Sequence, residues 1–212
     1  MDFIPEDIEA YCQKNSDTEN EILASLNRET HVRYLRSRML SGHLQGVFLK
    51  MLSCMIKPER ILEIGTYTGY SAICLSEGLQ KNGILQTIEI NYELEDIIRK
   101  YIKKADLDDK IELLMGDALE IIPQLNNMYD LVFIDADKEN YINYFNLVIN
   151  KVVKGGFIIA DNVLWSGKVL NPAPNDVETN AIIAFNEYAL NNNQVENLML
   201  PLRDGLMIMR KK

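Results

Sequence analysis

Two apolar runs in the second half of this chain each end in side chains that carry oxygen donors. The run 131–134 is followed by Asp135, and the run 156–160 is followed by Asp161 and Asn162. Short apolar runs of this kind are typical of buried parallel strands, and open α/β sheets bind their ligands at the carboxyl ends of such strands. The two runs therefore predict a parallel sheet in which Asp135, Asp161 and Asn162 meet in one crevice.

The chemistry of these three side chains indicates a metal site. Two carboxylates and one amide carbonyl are hard oxygen donors of the kind that Mg²⁺ accepts, and water and substrate oxygens complete its coordination shell. We therefore predict a divalent cation at this site, Mg²⁺ first, with Mn²⁺ or Ca²⁺ as alternatives. Lys138 follows Asp135 by three residues and makes the site a candidate catalytic site as well. Asp137 is expected to act as a cap or salt-bridge residue, because adjacent side chains at a strand end point apart.

Composition limits the possible partners and compartments. With 212 residues, 47% of them hydrophobic, the chain is long enough for one domain with a full core. Its net charge of −9 repels polyanions, which weighs against nucleic acid and an anionic membrane as partners. The first residues lack the pattern of a secretory signal and no apolar run reaches about 18 residues, so we expect a cytoplasmic protein with no membrane partner. The cysteines, Cys12, Cys54 and Cys74, are expected to be buried free thiols.

Strands and helices alternate along most of the chain. A helical leader over 4–28 and a linking segment over 36–46 precede a helix that Pro58 ends, and two further strands close the chain as an antiparallel hairpin over 194–200 and 206–210. We predict one domain over 1–212, with an amino-terminal helical segment and cap over 1–46 and a core over 47–212. The earlier strands are predicted at 60–64, 84–89, 111–115, 130–135 and 156–160, which describes a doubly wound parallel sheet.

The turn after the first strand has the features of a cofactor site. Gly65 and Gly69 let the backbone approach a ligand closely, and the helix that starts near Ser71 offers free N–H groups. The two glycines are spaced differently from those of the dinucleotide-binding motif G-x-G-x-x-G. Glu63, within the strand end, suits a cationic ligand better than a pyrophosphate.

The ends of the next two strands complete this cofactor site. Glu89 ends the second strand, where a carboxylate can accept both hydroxyls of a ribose. Asp117 and Ala118 follow the third strand, where an adenine ring could stack and donate its amino group. The pattern therefore predicts a nucleoside-containing ligand that lies across three strand ends.

Together these motifs resemble the class I S-adenosylmethionine-dependent methyltransferases, and within them the cation-dependent O-methyltransferases that include the plant caffeoyl-CoA and animal catechol enzymes. The resemblance runs from about residue 39 to 210 and rests on the motifs at 62–71, 135–138, 161–167 and 204–205. It implies a seven-stranded, mostly parallel sheet with a reversed last strand, Asp135, Asp161 and Asn162 on the metal, and Lys138 as the base beside Asp135. It also implies a pocket for S-adenosylmethionine lined by Met39, Ser41, Glu63, Gly65, Tyr67, Ser71, Glu89, Asp117, Ala118 and Asp135.

The acceptor stays open between several alternatives. A catechol-like small molecule with vicinal hydroxyls is preferred, because two adjacent oxygens suit the predicted cation. Some members of the resembled family methylate 5-hydroxyuridine in tRNA, and the basic cluster of Arg33, Arg36 and Arg38 keeps tRNA as an alternative. The acidic leader weighs against a coenzyme A ester, and a non-catalytic binding module of the same fold is a further alternative. The resemblance also implies a homodimer.

The aromatic and histidine side chains near these motifs are expected to lie in packing contacts, at the surface or in the wall of the acceptor pocket. Trp165 is expected either to anchor the core or to form a wall of the acceptor pocket. Tyr141 and Tyr144, on the helix after Asp135, are expected to be packing residues. His31 and His43 have no ligand spacing relative to the acids and are expected at the surface or in packing contacts.

Overall fold

One seven-stranded sheet in the order β3-β2-β1-β4-β5-β7-β6 organises the computed structural model, which describes residues 4–212 apart from the side chain of Glu6. β1 to β5 run parallel, and β7 is antiparallel to both β5 and β6. The predicted doubly wound α/β sheet with a carboxyl-terminal antiparallel hairpin is therefore confirmed. The strands are β1 Arg60–Ile64, β2 Ile84–Glu89, β3 Ile111–Met115, β4 Tyr129–Ile134, β5 Val152–Asp161, β6 Val195–Leu200 and β7 Leu206–Lys211.

Helices cover both faces of the sheet because its central strands are apolar on both sides. On β1 and β4, Leu62 and Val132 belong to one buried cluster, whereas Ile61 and Phe133 belong to another. The predicted metal ligands Asp135 and Asp161 consequently lie at the ends of their strands. The helices are α1 Glu6–Lys14, α2 Glu21–Arg33, α3 His43–Ile56, α4 Tyr70–Ser76, α5 Glu95–Lys104, α6 Ala118–Gln124, α7 Tyr141–Val148 and α8 Val177–Leu190.

The chain order reverses between β1 and β4, which lie side by side in the sheet although β2 and β3 separate them in sequence. Such a reversal opens a crevice at the carboxyl ends of the two strands, where ligands of α/β sheets bind. Backbone hydrogen bonds bring the chain segments after the strands together, since Gly65 N donates to Ile88 O at 3.0 Å and Asp135 N donates to Ile64 O at 2.8 Å. The fold therefore places the two predicted motifs next to each other.

Several local predictions need correction. The leader is two helices rather than one over 4–28, because Asn20 starts α2 by accepting a hydrogen bond from Leu23 N at 2.8 Å. Residues 1–3 of the predicted amino-terminal segment over 1–46 lie outside the described residues. The first three strands have the predicted bounds, whereas those of β4 to β7 differ by one to four residues; β4, for example, ends one residue before Asp135. Cys12 and Cys54 are exposed and only Cys74 is buried, because the first two lie on the outer faces of α1 and α3.

One stretch, Ser37–Ile56, is long and apolar enough by length and composition alone to span a membrane, which is weak support for a span. The stretch is not one continuous helix, because a 3-10 turn at Ser37–Met39 is separated from α3 by Gly42, whose φ is 75°. The 14 residues of α3 extend over about 21 Å. A hydrocarbon core is about 30 Å thick. Leu49, fully buried on α3, instead packs in the core of the protein.

Candidate active site

A cleft opens at the carboxyl ends of β1 and β4, and the segment before α3 forms one of its walls. The strand ends supply Gly65 and Asp135, while Leu40 comes from the segment before α3. The cleft brings together six of the predicted cofactor residues, namely Met39, Ser41, Gly65, Tyr67, Ser71 and Asp135. That Met39 and Ser41 contact the cofactor stays a prediction.

Gly65 allows the turn after β1 to pass directly over the backbone of Asp135. Its φ is 95°, and a Cβ at this position would lie 2.1 Å from the carbonyl oxygen of Asp135. Any other residue would combine a steric clash with a left-handed backbone that L-amino acids avoid. Gly65 therefore brings the predicted cofactor turn into contact with the predicted metal-binding strand end.

Glu89 is held by backbone amides at the end of β2. Tyr67 N donates to its Oε2 at 2.7 Å, and Asn91 N donates to its Oε1 at 2.8 Å. Burial raises the pKa of this carboxyl group, while these backbone hydrogen bonds act in the opposite direction. Each carboxylate oxygen has two acceptor sites, so Glu89 keeps capacity for two hydroxyl donors. The carboxylate is thus fixed in place for the predicted ribose contact.

Glu63 lies fully buried beneath the cleft in β1. Thr87 Oγ1 donates to its Oε2 at 2.5 Å, whereas Oε1 has no hydrogen-bond partner among the described residues. Burial raises the pKa of Glu63 to about 8, and the negative charges of Asp135 and Glu89 add to the effect. Glu63 lies two residues before the cleft residue Gly65, and one of its carboxyl oxygens lacks a hydrogen-bond partner among the described residues. Such a buried carboxyl group fits a ligand that carries positive charge.

Asp117 and Ala118 lie at the same end of the sheet, after β3. The Asp117 side chain caps α6 by accepting a hydrogen bond from Leu119 N at 2.8 Å, and Ala118 is buried at the first position of that helix. Neither residue lines the cleft that contains Gly65. Their predicted contact with an adenine ring stays a prediction.

The predicted metal ligands occupy neighbouring strand ends, with Asp135 just after β4 and Asp161 as the last residue of β5. Asp161 is almost completely buried; its Oδ2 accepts from Gln45 Nε2 at 2.5 Å and its Oδ1 accepts from the backbone N of Asn162 at 2.7 Å. Burial raises the pKa of Asp161 to about 7, the negative charge of Asp135 adds to the increase, and Lys138 opposes it. The negative charges of Asp135 and Asp161 thus repel each other, and a bound cation would relieve this repulsion.

The donor set at these strand ends fits a hard divalent cation. Over residues 4–212, no three histidine, cysteine or acidic side chains are grouped as a metal site. The predicted donors are instead two carboxylates and the amide of Asn162, with neither thiolate nor imidazole. Mg²⁺ is bound in this way, through one or two carboxylates together with water and substrate oxygens.

Lys138 is buried beside the two carboxylates. Its Nζ lies 3.1 Å from Asp135 Oδ1 and 2.5 Å from Tyr141 OH, and it sits 5.7 Å from the centroid of the Trp165 ring. Tyr141 OH in turn donates to the carbonyl oxygen of Asp161 at 2.9 Å. The lysine is therefore directed into the site by groups from both strand ends.

Two neighbouring residues have roles that differ from the expected ones. Tyr141 does more than pack, because its hydroxyl connects Lys138 to the backbone of Asp161 while Phe185 packs edge-on against its ring. Asp137 forms neither a salt bridge nor a helix-cap hydrogen bond in the described residues. It accepts side-chain hydrogen bonds from Tyr144 OH and Asn140 Nδ2, each at 2.5 Å.

The loop after Asn162 is tightly bent. Asn162, Trp165 and Ser166 all have positive φ angles, between 47° and 58°. The turn between β6 and β7 supports this loop, since Leu164 N donates to the carbonyl oxygen of Asp204 at 2.9 Å and Ser166 N donates to the Asp204 carboxylate. Trp165 is half-buried over Lys138, with no partner for its indole N–H among the described residues. This position leaves both expected roles of Trp165 open.

Sequence reasoning missed Gln45 and Arg203. Gln45 is a buried polar residue on an otherwise largely apolar inner face of α3, which is the one local signal that could have identified it. Arg203, in the turn between β6 and β7, donates to the Gln45 side chain and to the carbonyl oxygen of Leu40. Both contacts join parts of the chain that are far apart in sequence.

Comparisons with known proteins agree with this geometry. A sequence profile described as O-methyltransferase matches residues 13–212. The chain is 33% identical over 206 residues to a caffeoyl-CoA O-methyltransferase of Medicago sativa, covering 91% of this chain and 83% of that protein. It is 35% identical over 196 residues to caffeoyl-CoA O-methyltransferase 2 of Eucalyptus globulus, covering 87% and 79% respectively. The structure of an O-methyltransferase from Bacillus cereus in complex with SAH superposes with a TM-score of 0.90 at 30% identity, covering 97% of each chain.

Proposed function

The chain belongs to the S-adenosylmethionine-dependent O-methyltransferases of the caffeoyl-CoA O-methyltransferase-like family, and from this premise we propose that it methylates one hydroxyl of a small catechol-like acceptor with the help of a divalent cation. The observation that carries the proposal is the convergence of Asp135, Lys138 and Asp161. Lys138 Nζ lies 3.1 Å from one of these carboxylates and is linked through Tyr141 to the backbone of the other.

In methyl transfer from S-adenosylmethionine, the enzyme must mainly generate the oxygen nucleophile, because the methyl group is already activated. S-adenosylmethionine supplies a methyl group that is already electrophilic. A phenol has a pKa of about 10, so little of it is ionised at neutral pH. A divalent cation held by Asp135, Asp161 and Asn162 would lower the pKa of the acceptor hydroxyl and favour acceptors with two adjacent oxygens.

The residues of the chain then have three tasks. In its neutral amine form, which a cation bound nearby would favour by charge repulsion, Lys138 Nζ would take the proton of the acceptor hydroxyl, and Tyr141 and Asp135 hold that nitrogen in position. Glu89 and the Gly65 turn hold the methyl donor, so that donor and acceptor are aligned before reaction. Good alignment of this kind contributes roughly 7–11 kcal/mol in favourable intramolecular cases. Trp165, above Lys138, is positioned to limit the access of water.

The test is a methyl-transfer assay with labelled S-adenosylmethionine and matched acceptors. A catechol, the corresponding monophenol and total tRNA are compared after chelator treatment, with and without added Mg²⁺ or Mn²⁺. We expect the catechol to be methylated, and neither the monophenol nor the tRNA. The chelator should abolish this turnover, and either cation should restore it. Turnover that persists fully in excess chelator would show that the cation part of the proposal is wrong.

Two variants sharpen this assay. Asp161→Ala removes a predicted metal ligand, and we expect it to lose cation rescue at ordinary concentrations while it keeps the fold. Asp137→Ala is the matched control, because its carboxylate binds Tyr144 and Asn140 rather than the site. The control should keep its cation dependence. Equal loss in both variants would indicate general damage rather than loss of a ligand.

The second candidate acceptor is 5-hydroxyuridine in tRNA. It is favoured by exposed Arg33, Arg36 and Arg38, which immediately precede the cleft residue Met39. Phosphate contacts from such a cluster would make binding strongly dependent on salt. Two results together would favour tRNA over the small molecule. Labelled methyl groups would appear in hydroxyuridine-containing tRNA, and Arg36→Glu would abolish this activity but keep catechol turnover. A chain that methylates none of these acceptors would favour a non-catalytic role.

A further inference from the structure

Gln45 is a buried polar side chain whose two ends contact different parts of the site. It is 1% exposed, and its Nε2 donates to Asp161 Oδ2 at 2.5 Å. Its Oε1 accepts from Arg203 Nη1 at 3.3 Å. Because the amide nitrogen is a donor and the oxygen an acceptor, only this orientation satisfies both neighbours at once. Arg203 and Asp161 thus favour the same orientation of the Gln45 amide, with its nitrogen towards Asp161.

Arg203 also contacts the segment that covers the cleft. Its Nη1 donates to the carbonyl oxygen of Leu40 at 2.9 Å, and Leu40 lines the cleft together with Met39 and Ser41. The backbone of Arg203 has a φ of 49°, a conformation that glycine adopts without strain and arginine does not. The chain therefore keeps a side chain with hydrogen-bonding capacity where the backbone alone would favour glycine.

A neutral donor suits the orientation of a metal ligand. The two oxygens of Asp161 each accept one hydrogen bond, from Gln45 Nε2 and from the backbone N of Asn162, and two such bonds fix the plane of the carboxylate. Each oxygen retains a further acceptor site for a cation. An amide donor aligns the carboxylate without cancelling its charge, whereas a lysine or arginine at position 45 would compete with the cation.

We propose that Gln45 and Arg203 are positioning residues for the cation site: Arg203 fixes the amide of Gln45, and Gln45 fixes the carboxylate of Asp161. The inference rests on the cation dependence of the proposed function. Side chains that orient metal ligands typically contribute 10- to 100-fold to metal affinity. If Gln45 only satisfied buried polar groups, its loss would change stability and leave metal affinity unchanged.

The test measures the affinity of the full-length protein for Mn²⁺ alone, by the electron paramagnetic resonance of free Mn²⁺. Gln45→Leu keeps a similar volume and removes the donor, and we expect its Mn²⁺ affinity to fall at least 10-fold. Affinity for S-adenosylmethionine, measured by calorimetry without metal, should change less than about 3-fold, because Gln45 does not line the cleft. Gln86→Leu is the matched control, since Gln86 is buried in β2 and bonded to Tyr129 instead. It should lose stability and keep its Mn²⁺ affinity.

Arg203→Gly provides a second variant that relieves the backbone and removes the guanidinium group. We expect weaker Mn²⁺ binding in this variant, and no additional weakening when it is combined with Gln45→Leu, because both changes act on the same carboxylate. If both Gln45→Leu and Arg203→Gly keep the wild-type Mn²⁺ affinity, the inference about positioning is overturned, while the proposed cation dependence of the enzyme is unaffected. A wild-type protein that binds no Mn²⁺ would overturn the proposed cation dependence, and the inference with it.

Discussion

Replacing Glu63 with glutamine should change how the stability of the protein depends on pH. Glu63 is fully buried, and burial raises its pKa to about 8, with the charges of Asp135 and Glu89 adding to the increase. In the unfolded chain the same carboxyl group titrates near its ordinary value of 4.5. Without cofactor or metal, the folded protein therefore holds a proton on Glu63 that the unfolded chain has already lost.

The sign of the effect follows from this difference in bound protons. Between about pH 4.5 and pH 8 the folded state binds more protons than the unfolded state, so the free energy of unfolding falls as the pH rises. The gap between the two pKa values corresponds to at most about 5 kcal/mol, at roughly 1.4 kcal/mol for each pH unit. Glutamine cannot ionise, and its carbonyl oxygen can keep the hydrogen bond from Thr87. The variant should gain stability relative to the wild type as the pH rises, up to about pH 8.

Thermal unfolding of the wild type and Glu63→Gln, followed by circular dichroism between pH 5 and pH 9 without cofactor or metal, measures this effect. If half of this maximum free-energy difference is realised, roughly 2 kcal/mol, the Tm of the variant should rise relative to that of the wild type. The Tm difference should grow by about 4–8 °C from pH 5 to pH 9. The buried amide nitrogen has a cost of its own, but that cost is the same at every pH. Glu120→Gln, at an exposed position on α6, is the control and should show no such trend. A Tm difference that stays constant from pH 5 to pH 9 would refute the reasoning.

Three further substitutions test the cofactor turn and the base. Glu89→Ala should weaken S-adenosylmethionine binding by about 1.5–3 kcal/mol, the range for a hydrogen bond to a charged group, and unchanged affinity in calorimetry would contradict the ribose assignment. Lys138→Ala should lower the rate by roughly 10²- to 10⁴-fold with little effect on cofactor affinity, and high pH should restore part of the rate as the phenol ionises unaided. If this variant keeps its rate and loses only stability, Lys138 is a structural residue. Gly65→Ala should destabilise the fold by roughly 1–3 kcal/mol and impair cofactor binding, because its Cβ would meet the Asp135 carbonyl oxygen; wild-type Tm and affinity would argue against that close approach.

The strands and the residues at their ends can be predicted from the sequence because their signals are local. Apolar runs mark buried strands, and polar residues just beyond them must face the same crevice when the strands are parallel. These two rules are sufficient to bring Asp135 and Asp161 together. They also place Gly65, which follows the first strand, at the same edge of the sheet. Only the structure reveals how closely the turn at Gly65 passes over the backbone of Asp135.

Exposure and side-chain partners are harder to predict, because they depend on how helices are rotated against the sheet. The apolar composition of α3 favours a buried Cys54, but the buried side of this helix contains Gln45, Leu49 and Ser53 instead. The contact between Gln45 and Asp161 joins residues 116 positions apart, and no spacing rule covers such a distance. The sequence predicts only packing for Tyr141, because a tyrosine on an apolar helix face gives no indication of where its hydroxyl will bond.

The reversed strand β7 explains why the turn at 201–205 reaches the cation site. β7 pairs antiparallel with β5, and its first residue, Leu206, lies opposite Asp161. The residues just before Leu206 must therefore lie beside the last residue of β5, at the carboxyl end of the parallel strands. A hairpin that only closes the edge of a sheet could end anywhere along β5, but this register brings Arg203 within hydrogen-bond distance of Gln45 and Leu40. The same pairing that completes the sheet thus supplies Arg203, which we propose fixes the Gln45 amide that orients Asp161, and a shift of this register would separate Arg203 from Gln45.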